Sequence, residues 1–545
     1  MCKNMHLGLI LRLIAVVVLI SFLGPTCYGA TILGTVRGPE GKPLKAVFVE
    51  AQDIKTRITV IALSDDQGRY RLEKLRAGEY RVQIRATGYR ADPRSGVNLV
   101  ADQNISIDFT LQTGLVGWNE ISIYQGRELL PASSGKDTLF SSCMICHGFQ
   151  SRMASVKRDE EGWKDRVDYM REIAHFSLAN GGHFTDEKAT DLASYLTTVF
   201  GPDSSLPKSP EGLPGYKGTL RPLSNEGTDI VYVEYDLPGM NRLPFSAAPD
   251  ENGFVWIPNF GPANKITRLD PQSGEFRDFK VGNVGNAAIH SAFPGPDGSV
   301  WLGEQASNKL GKWDPTTQEI TEYQDAYLPG KEGITNGGCK HTVRFDPDGN
   351  VWSSGDPLSR FDPKTGKFTD FWKEVGSTYA IVTDAEGNIW FTTLGTYRIG
   401  KIDYKTLQVK IWDPPTKSSY PRRLAIDSDG AVWSGEYNAG KITRFDPETE
   451  TFKEFQLPGP APTPYALGID KDHNIWYSSY LMDVVGRLDP KTGKVTEYPF
   501  PHAENTMREL FLDAQGRMWY GSPANGKVGY FFVADGTDRA HANMR

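Results

Sequence analysis

Three patterns of apolar and polar positions follow one another along the chain. From 31 to 113, short runs such as Ile32-Leu33-Gly34-Thr35-Val36, Tyr70-Arg71-Leu72 and Tyr80-Arg81-Val82-Gln83-Ile84 alternate apolar with polar, and Gly-Pro-Glu-Gly and Asp-Asp-Gln-Gly turns separate them. Period-two alternation at this short spacing predicts a small antiparallel β-sandwich. From 118 to 202 the period lengthens. Trp163, Val167, Met170 and Ala174 fall on one helix face, and Ala189, Leu192, Leu196 and Val199 form a second stripe that Thr185 can cap and Gly201-Pro202 ends. Residues 203–228 are rich in Pro, Gly and Ser and predict a linker.

Beyond the linker, from 229 to 533, the chain repeats. Trp256, Trp301, Trp352, Trp390, Trp433, Trp476 and Trp519 each close a turn-and-strand unit of the Asp/Glu-x-Gly/Asn-x-Val/Ile/Met-Trp kind or a near variant. The units are mostly about 43 residues apart, and seven of them predict a seven-bladed β-propeller. The region opens on an outer-type strand at 230–235 and closes on a third-type strand at 527–531. The first strand should therefore complete the last blade and remove a free sheet edge. Residues 534–545 are a tail. The fold class expected is mainly β and multidomain: a sandwich, a helical unit and a propeller.

With 545 residues the chain needs several cores, and its net charge of −7 is spread along its length without a basic stripe, which argues against nucleic acid as partner. Residues 1–30 place Lys3 and Arg12 ahead of an apolar run from Leu13 to Leu23, which suits a signal peptide and implies a periplasmic or secreted product with no transmembrane segment once cleaved.

Candidate chemistry concentrates in two places. Cys143-Met144-Ile145-Cys146-His147 has the spacing of a covalent haem attachment site, two thiols for the vinyl groups and His147 as proximal iron ligand. A zinc site would need a second Cys/His pair at ligand spacing. Met170 is the expected sixth ligand, with His175, His183 and Met153 as alternatives. The second place is a slot eleven residues before each repeat Trp, which holds Phe245, His290, His341, Tyr379, Arg422, Tyr465 and Arg508. His290, His341, Tyr379, Arg422, Tyr465 and Arg508 are candidate catalytic groups, His290 and His341 as bases, and should gather with Glu304 and Glu436 at one mouth of the channel. Three residues after the Trp stand Glu304 and Glu436, expected opposite His290 and Arg422 and as candidate ligands for a divalent ion.

Three resemblances follow from these residues. Gly34-x-Val36, Gly41-x-Pro43-Leu44, Asp66-x-Gly68-x-Tyr70, Leu75-x-x-Gly78-x-Tyr80 and Gly88-Tyr89 resemble the carboxypeptidase regulatory-like domain, which implies a spacer or docking module. The CxxCH, a middle helix and a closing helix ending Tyr195-Leu196 to Phe200 resemble a short cytochrome c domain. The propeller, through Pro296-Asp297-Gly298-Ser299-Val300-Trp301 and the ends at Glu304 and Glu436, resembles the streptogramin B (virginiamycin B) lyase family. That family opens a cyclic depsipeptide by elimination, with a histidine base and Mg2+, so the resemblance implies a base at His290 or His341. The expected function is haem c electron transfer with a redox partner protein or small-molecule substrate on the propeller; the alternative is a propeller enzyme, either haem-linked oxidoreductase or magnesium-assisted lyase.

Overall fold

The computed structural model describes residues 29–144, 147–173, 184–239, 242–282, 287–325 and 338–534. No helix among them is long and apolar enough to cross a membrane. The signal segment lies outside the described residues, apart from its last two positions, and so does the tail, apart from Ala534.

The amino-terminal alternation forms a sandwich. Ala30–Arg37 pairs antiparallel with Arg69–Leu75, while Phe48–Asp53 lies between Ile58–Leu63 and Gly78–Arg85. The inward positions Ile32, Val49, Leu72, Val82 and Phe109 make its core.

The Trp repeat forms seven four-stranded blades. Blade 1 covers 248–280, blade 2 289–324, blade 3 339–370, blade 4 378–412, blade 5 421–456 and blade 6 464–499. Blade 7 takes three strands from 510–533 and its fourth from Ile230–Asp236, which pairs with Lys527–Val533 as the ends of the repeat anticipated. The sequence did not anticipate the next neighbour. Sandwich strand Ile58–Leu63 pairs with the outer side of Ile230–Asp236, so sandwich and blade 7 share one eight-stranded sheet. The outermost edge of blade 7 is thereby covered.

A clamp explains why Trp recurs. Six residues before the Trp, six of the seven units carry Asp, and that carboxylate accepts the indole N–H: Asp250 from Trp256, Asp346 from Trp352, Asp384 from Trp390, Asp427 from Trp433, Asp470 from Trp476 and Asp513 from Trp519, at 2.7–2.9 Å. In blade 5 the other oxygen of Asp427 accepts the turn amides of Asp429 and Ala431. One side chain thus closes the turn and satisfies a buried donor. Blade 2 is the exception, with Gly295 at this position and the Lys312 ammonium over the Trp301 ring. Asp427→Ala should therefore cost about 1–3 kcal/mol, the penalty for a buried donor left unsatisfied, read as a lower urea midpoint at unchanged slope.

Ring closure is reinforced by a buried carboxylate. Glu234, on the strand that closes blade 7, meets His502 Nε2 at 2.6 Å and accepts the Tyr520 hydroxyl at 2.8 Å. Burial by itself would raise this carboxyl, but His502, Lys527 and Tyr520 outweigh it and hold it at about 2 against an ordinary 4.5. A depressed carboxyl stabilises the fold above its unfolded value and loses that contribution as pH falls. Urea midpoints should accordingly decline between about pH 4.5 and pH 2, and Glu234→Gln should flatten that decline.

The helical unit consists of Ile123–Leu129, Ser134–Thr138, Glu160–Ile173 and Asp186–Phe200 with two short π-turns at Leu139–Cys143 and Gln150–Ala154. Thr185 caps the last helix through the Lys188 amide, as the sequence implied. Residues 203–228 are no free linker. They run as short 3-10 turns tied down by Trp118 Nε1 to the Pro207 carbonyl, Lys45 to the Leu223 carbonyl and an Arg221–Glu497 ion pair. Pro and Gly removed the regular elements there without removing the contacts.

Candidate functional site at the propeller mouth

The innermost strands of blades 2 to 6 each carry a β-bulge at the slot position: between Ile289 and Ser291, Lys340 and Val343, Thr378 and Ile381, Pro421 and Leu424, and Pro464 and Leu467. A bulge adds one residue on one strand and re-aims a side chain. The slot residues converge as a result. His290 and His341 stack with ring centroids 3.5 Å apart, Phe245 lies 5.1 Å from His290, and Tyr379 lies 4.6 Å from His341. The Tyr379 and Tyr465 hydroxyls hydrogen-bond each other, and Arg508 Nη1 donates to Tyr465. Arg422 sits against the rings of Tyr379 and Tyr465 at 4.8 and 4.9 Å.

The same bulges correct the expected partners. Counting back from Phe293↔Trp301, a regular ladder would pair His290 with Glu304, but the extra residue makes the pair Ile289↔Glu304. Likewise Glu436 faces Pro421 and not Arg422. Both glutamates are fully buried and turned away from the ring: Ser307 donates to Glu304 and Ser434 to Glu436, each at 2.6 Å. Burial pushes the Glu304 carboxyl up to about 7 and raises Glu436 as well. Among the described residues no three His, Cys, Asp or Glu side chains come together to hold a cation. Glu304 and Glu436 are thus not brought opposite His290 and Arg422.

The residues that do share the mouth lie one position further along. Phe260, Tyr437 and Tyr480, four after their Trp, stack or edge onto the slot: Phe245–Phe260 at 4.1 Å, Tyr437–Tyr465 at 5.8 Å and Tyr465–Tyr480 at 5.3 Å. An aromatic bias in that column was visible in the sequence. Arg423 and Glu509 were also missed, although each directly follows a slot residue; they pair at 3.1 Å below the ring.

Burial is the largest influence on both imidazoles. It lowers His290 well below 6.5, with His341, Arg423 and Arg508 acting in the same direction, and it lowers His341 with the three arginines. Both rings are neutral at neutral pH. Tyr465 is lowered despite its burial by Arg508, Arg422 and Arg423, whereas burial raises Tyr379.

The helical unit caps this mouth. Its core residues Leu139, Met144, Phe149, Met153, Trp163 and Leu192 belong to one buried cluster with Tyr379, Tyr465, Tyr480 and Leu481 of the propeller. The Tyr124 amide donates to the Leu481 carbonyl at 2.8 Å. Glu504, in the connection from blade 6 to blade 7, accepts the Ser151 amide at 3.0 Å and its hydroxyl at 2.7 Å.

Of the haem-attachment residues, Cys143 is half-buried and His147 is described, while Cys146 lies outside the described residues. His147 Nδ1 is 2.8 Å from the Gly148 carbonyl. Burial first, then the Arg152 charge, lowers this imidazole to about 4, and Arg508 of the mouth adds to the effect. A neutral ring whose Nδ1–H donates to a carbonyl leaves Nε2 free for iron, the arrangement a proximal ligand requires. Met170 is half-buried and not within the core as its stripe implied; Met153 is 6% exposed. His175 and His183 lie outside the described residues.

Residues 334–541 match the virginiamycin B lyase family and residues 31–112 the carboxypeptidase regulatory-like domain. No curated protein matches the chain. Among solved structures, a streptogramin B lyase is similar at 23% identity and TM-score 0.50, covering 57% of this chain and 100% of that one. A selenomethionine-substituted virginiamycin B lyase from Staphylococcus aureus is similar at 22% identity and TM-score 0.50, covering 56% of this chain and 99% of that one. A catalytically inactive variant of the S. aureus lyase with quinupristin gives the same figures. The chain is thus a mainly β multidomain protein with a lyase-like propeller. Its amino-terminal sandwich is of the carboxypeptidase regulatory-like kind.

Proposed function

We propose that this is an exported haem c electron-transfer protein, in which the propeller mouth holds the small molecule or partner protein that exchanges the electron. The observation that carries the reading is the contact between the two candidate sites. The helical unit that carries Cys143 and His147 packs on the mouth through a buried core shared with Tyr379, Tyr465 and Tyr480, and Ser151 of the unit bonds Glu504 of the propeller. A covalently held haem supplies one-electron chemistry, tuned by its axial ligands and nearby charge. The chain's own part is to keep His147 neutral and oriented, to exclude water through the helical cap, and to set a positive charge, Arg508, close enough to be felt at His147.

Arg508→Gln tests this. A positive charge near the iron disfavours its oxidised form, so removing it should lower the midpoint potential in a redox titration, while Lys453→Gln on an outer strand should leave it in place. An unchanged potential in Arg508→Gln would separate the mouth from the haem and end the reading.

A second reading is proton abstraction of the lyase kind by His290 or His341. The stacked neutral pair favours it, since a base must be unprotonated to act.

A further inference from the structure

We infer that the mouth takes the carboxylate of a small organic acid, with Arg422 as its anchor; this deepens the reading of the mouth as the binding site. Arg422 is 5% exposed, and four tyrosine rings hold its guanidinium: Tyr420 at 4.0 Å, Tyr379 at 4.8 Å, Tyr465 at 4.9 Å and Tyr437 at 5.0 Å. Among the described residues its buried Nε has no hydrogen-bond acceptor. Among the described residues no carboxylate lies within ion-pair distance of it, and Glu509, beside the next residue along, is engaged by Arg423 at 3.1 Å and by Arg344 at 3.6 Å. A buried cation without a counter-charge is costly, and a guanidinium fixed by flanking rings is pre-organised for a planar two-oxygen anion.

The surroundings point the same way. Below the ring, Arg423 is already engaged by Glu509 at 3.1 Å and by the Thr342 hydroxyl at 2.7 Å, so it does not compete with Arg422 for a ligand at the mouth. Burial raises the Tyr420 and Tyr437 hydroxyls, leaving them protonated and able to donate to an anion. Opposite them, the stacked Phe245–Phe260 pair and the neutral imidazoles form apolar and aromatic walls. Charge at one side and rings at the other suit a carboxylate on an apolar or aromatic body better than an inorganic anion.

Calorimetric titration of the full-length protein with benzoate, benzamide and inorganic phosphate tests the inference. Benzoate should bind, and its neutral counterpart benzamide should bind about tenfold or more weakly, as should benzoate to Arg422→Lys, which keeps the charge and loses the fork. Thermal midpoints of the variant establish that it is folded, and Tyr437→Phe, which removes one hydroxyl donor, should weaken benzoate by a smaller factor. Equal binding of benzoate and benzamide, or unchanged benzoate affinity in Arg422→Lys, overturns the anchor. Phosphate binding as tightly as benzoate overturns the organic body. Because binding is read without electron transfer, a protein lacking covalent haem that still takes benzoate sinks only the redox reading, and a haem-loaded protein that takes none of the three sinks only this inference.

Discussion

Purified protein should retain one haem per chain after acid-acetone extraction, and Cys143→Ser combined with Cys146→Ser should release all of it. The expected effect is all-or-none because the thioether bonds hold haem independently of its affinity for the pocket. A pyridine haemochrome spectrum of the extracted protein reads the outcome. The propeller should survive the substitutions, since its blades are built on their own Trp–Asp clamps, so the melting transition dominated by the blades should persist. His147→Ala should leave the covalent attachment and change the axial ligand field. If Met170 is the sixth ligand, Met170→Ala should abolish the long-wavelength sulfur-to-iron band of the oxidised protein; its persistence would move the role to Met153. Colour that extracts from the unsubstituted protein would overturn the haem assignment altogether.

What the chain disclosed in one dimension follows from how local each feature is. The blades were legible because a Trp, its turn and its returning strand lie within one hairpin, and the slot eleven residues upstream is a fixed step from that Trp. The partner column was misread by one residue because a bulge leaves no consistent residue type behind: Ile289-His290-Ser291 and Pro421-Arg422-Arg423 share little except their position. Glu436 looked like a channel acid for that reason, when Tyr437 beside it held the place. The Asp six residues before the Trp is present in six units, but its bond to the indole crosses the turn and leaves no mark in the spacing that a solvent-facing turn acid would not also leave. Contacts between units were beyond reach. Leu481 and Met482 follow the Trp strand of blade 6 and are buried beneath the helical cap, a contact no local pattern encodes. Ile58–Leu63 lies within the sandwich region, yet one of its two neighbours is Ile230–Asp236, far along the chain.

That last pairing sets the largest stability effect expected of one substitution. Ile230–Asp236 is hydrogen-bonded on both edges, with Val233 opposite Val60 on one side and Tyr530 on the other. Whichever edge its amide faces, that N–H has a strand beside it. Val233→Pro removes the donor and places a ring in the middle of a central strand, a change that costs about 3 kcal/mol or more. The damage is not confined to one domain, because the same strand closes the propeller ring and welds the sandwich to it. Urea unfolding should therefore begin at lower denaturant, and limited proteolysis should cut between sandwich and propeller before either is degraded. Val233→Ala isolates the side chain, which is buried at 7% exposure, from the backbone term. If the proline variant unfolds with the alanine variant and resists cleavage equally, the strand is dispensable to closure, and the seven blades hold their ring by other contacts.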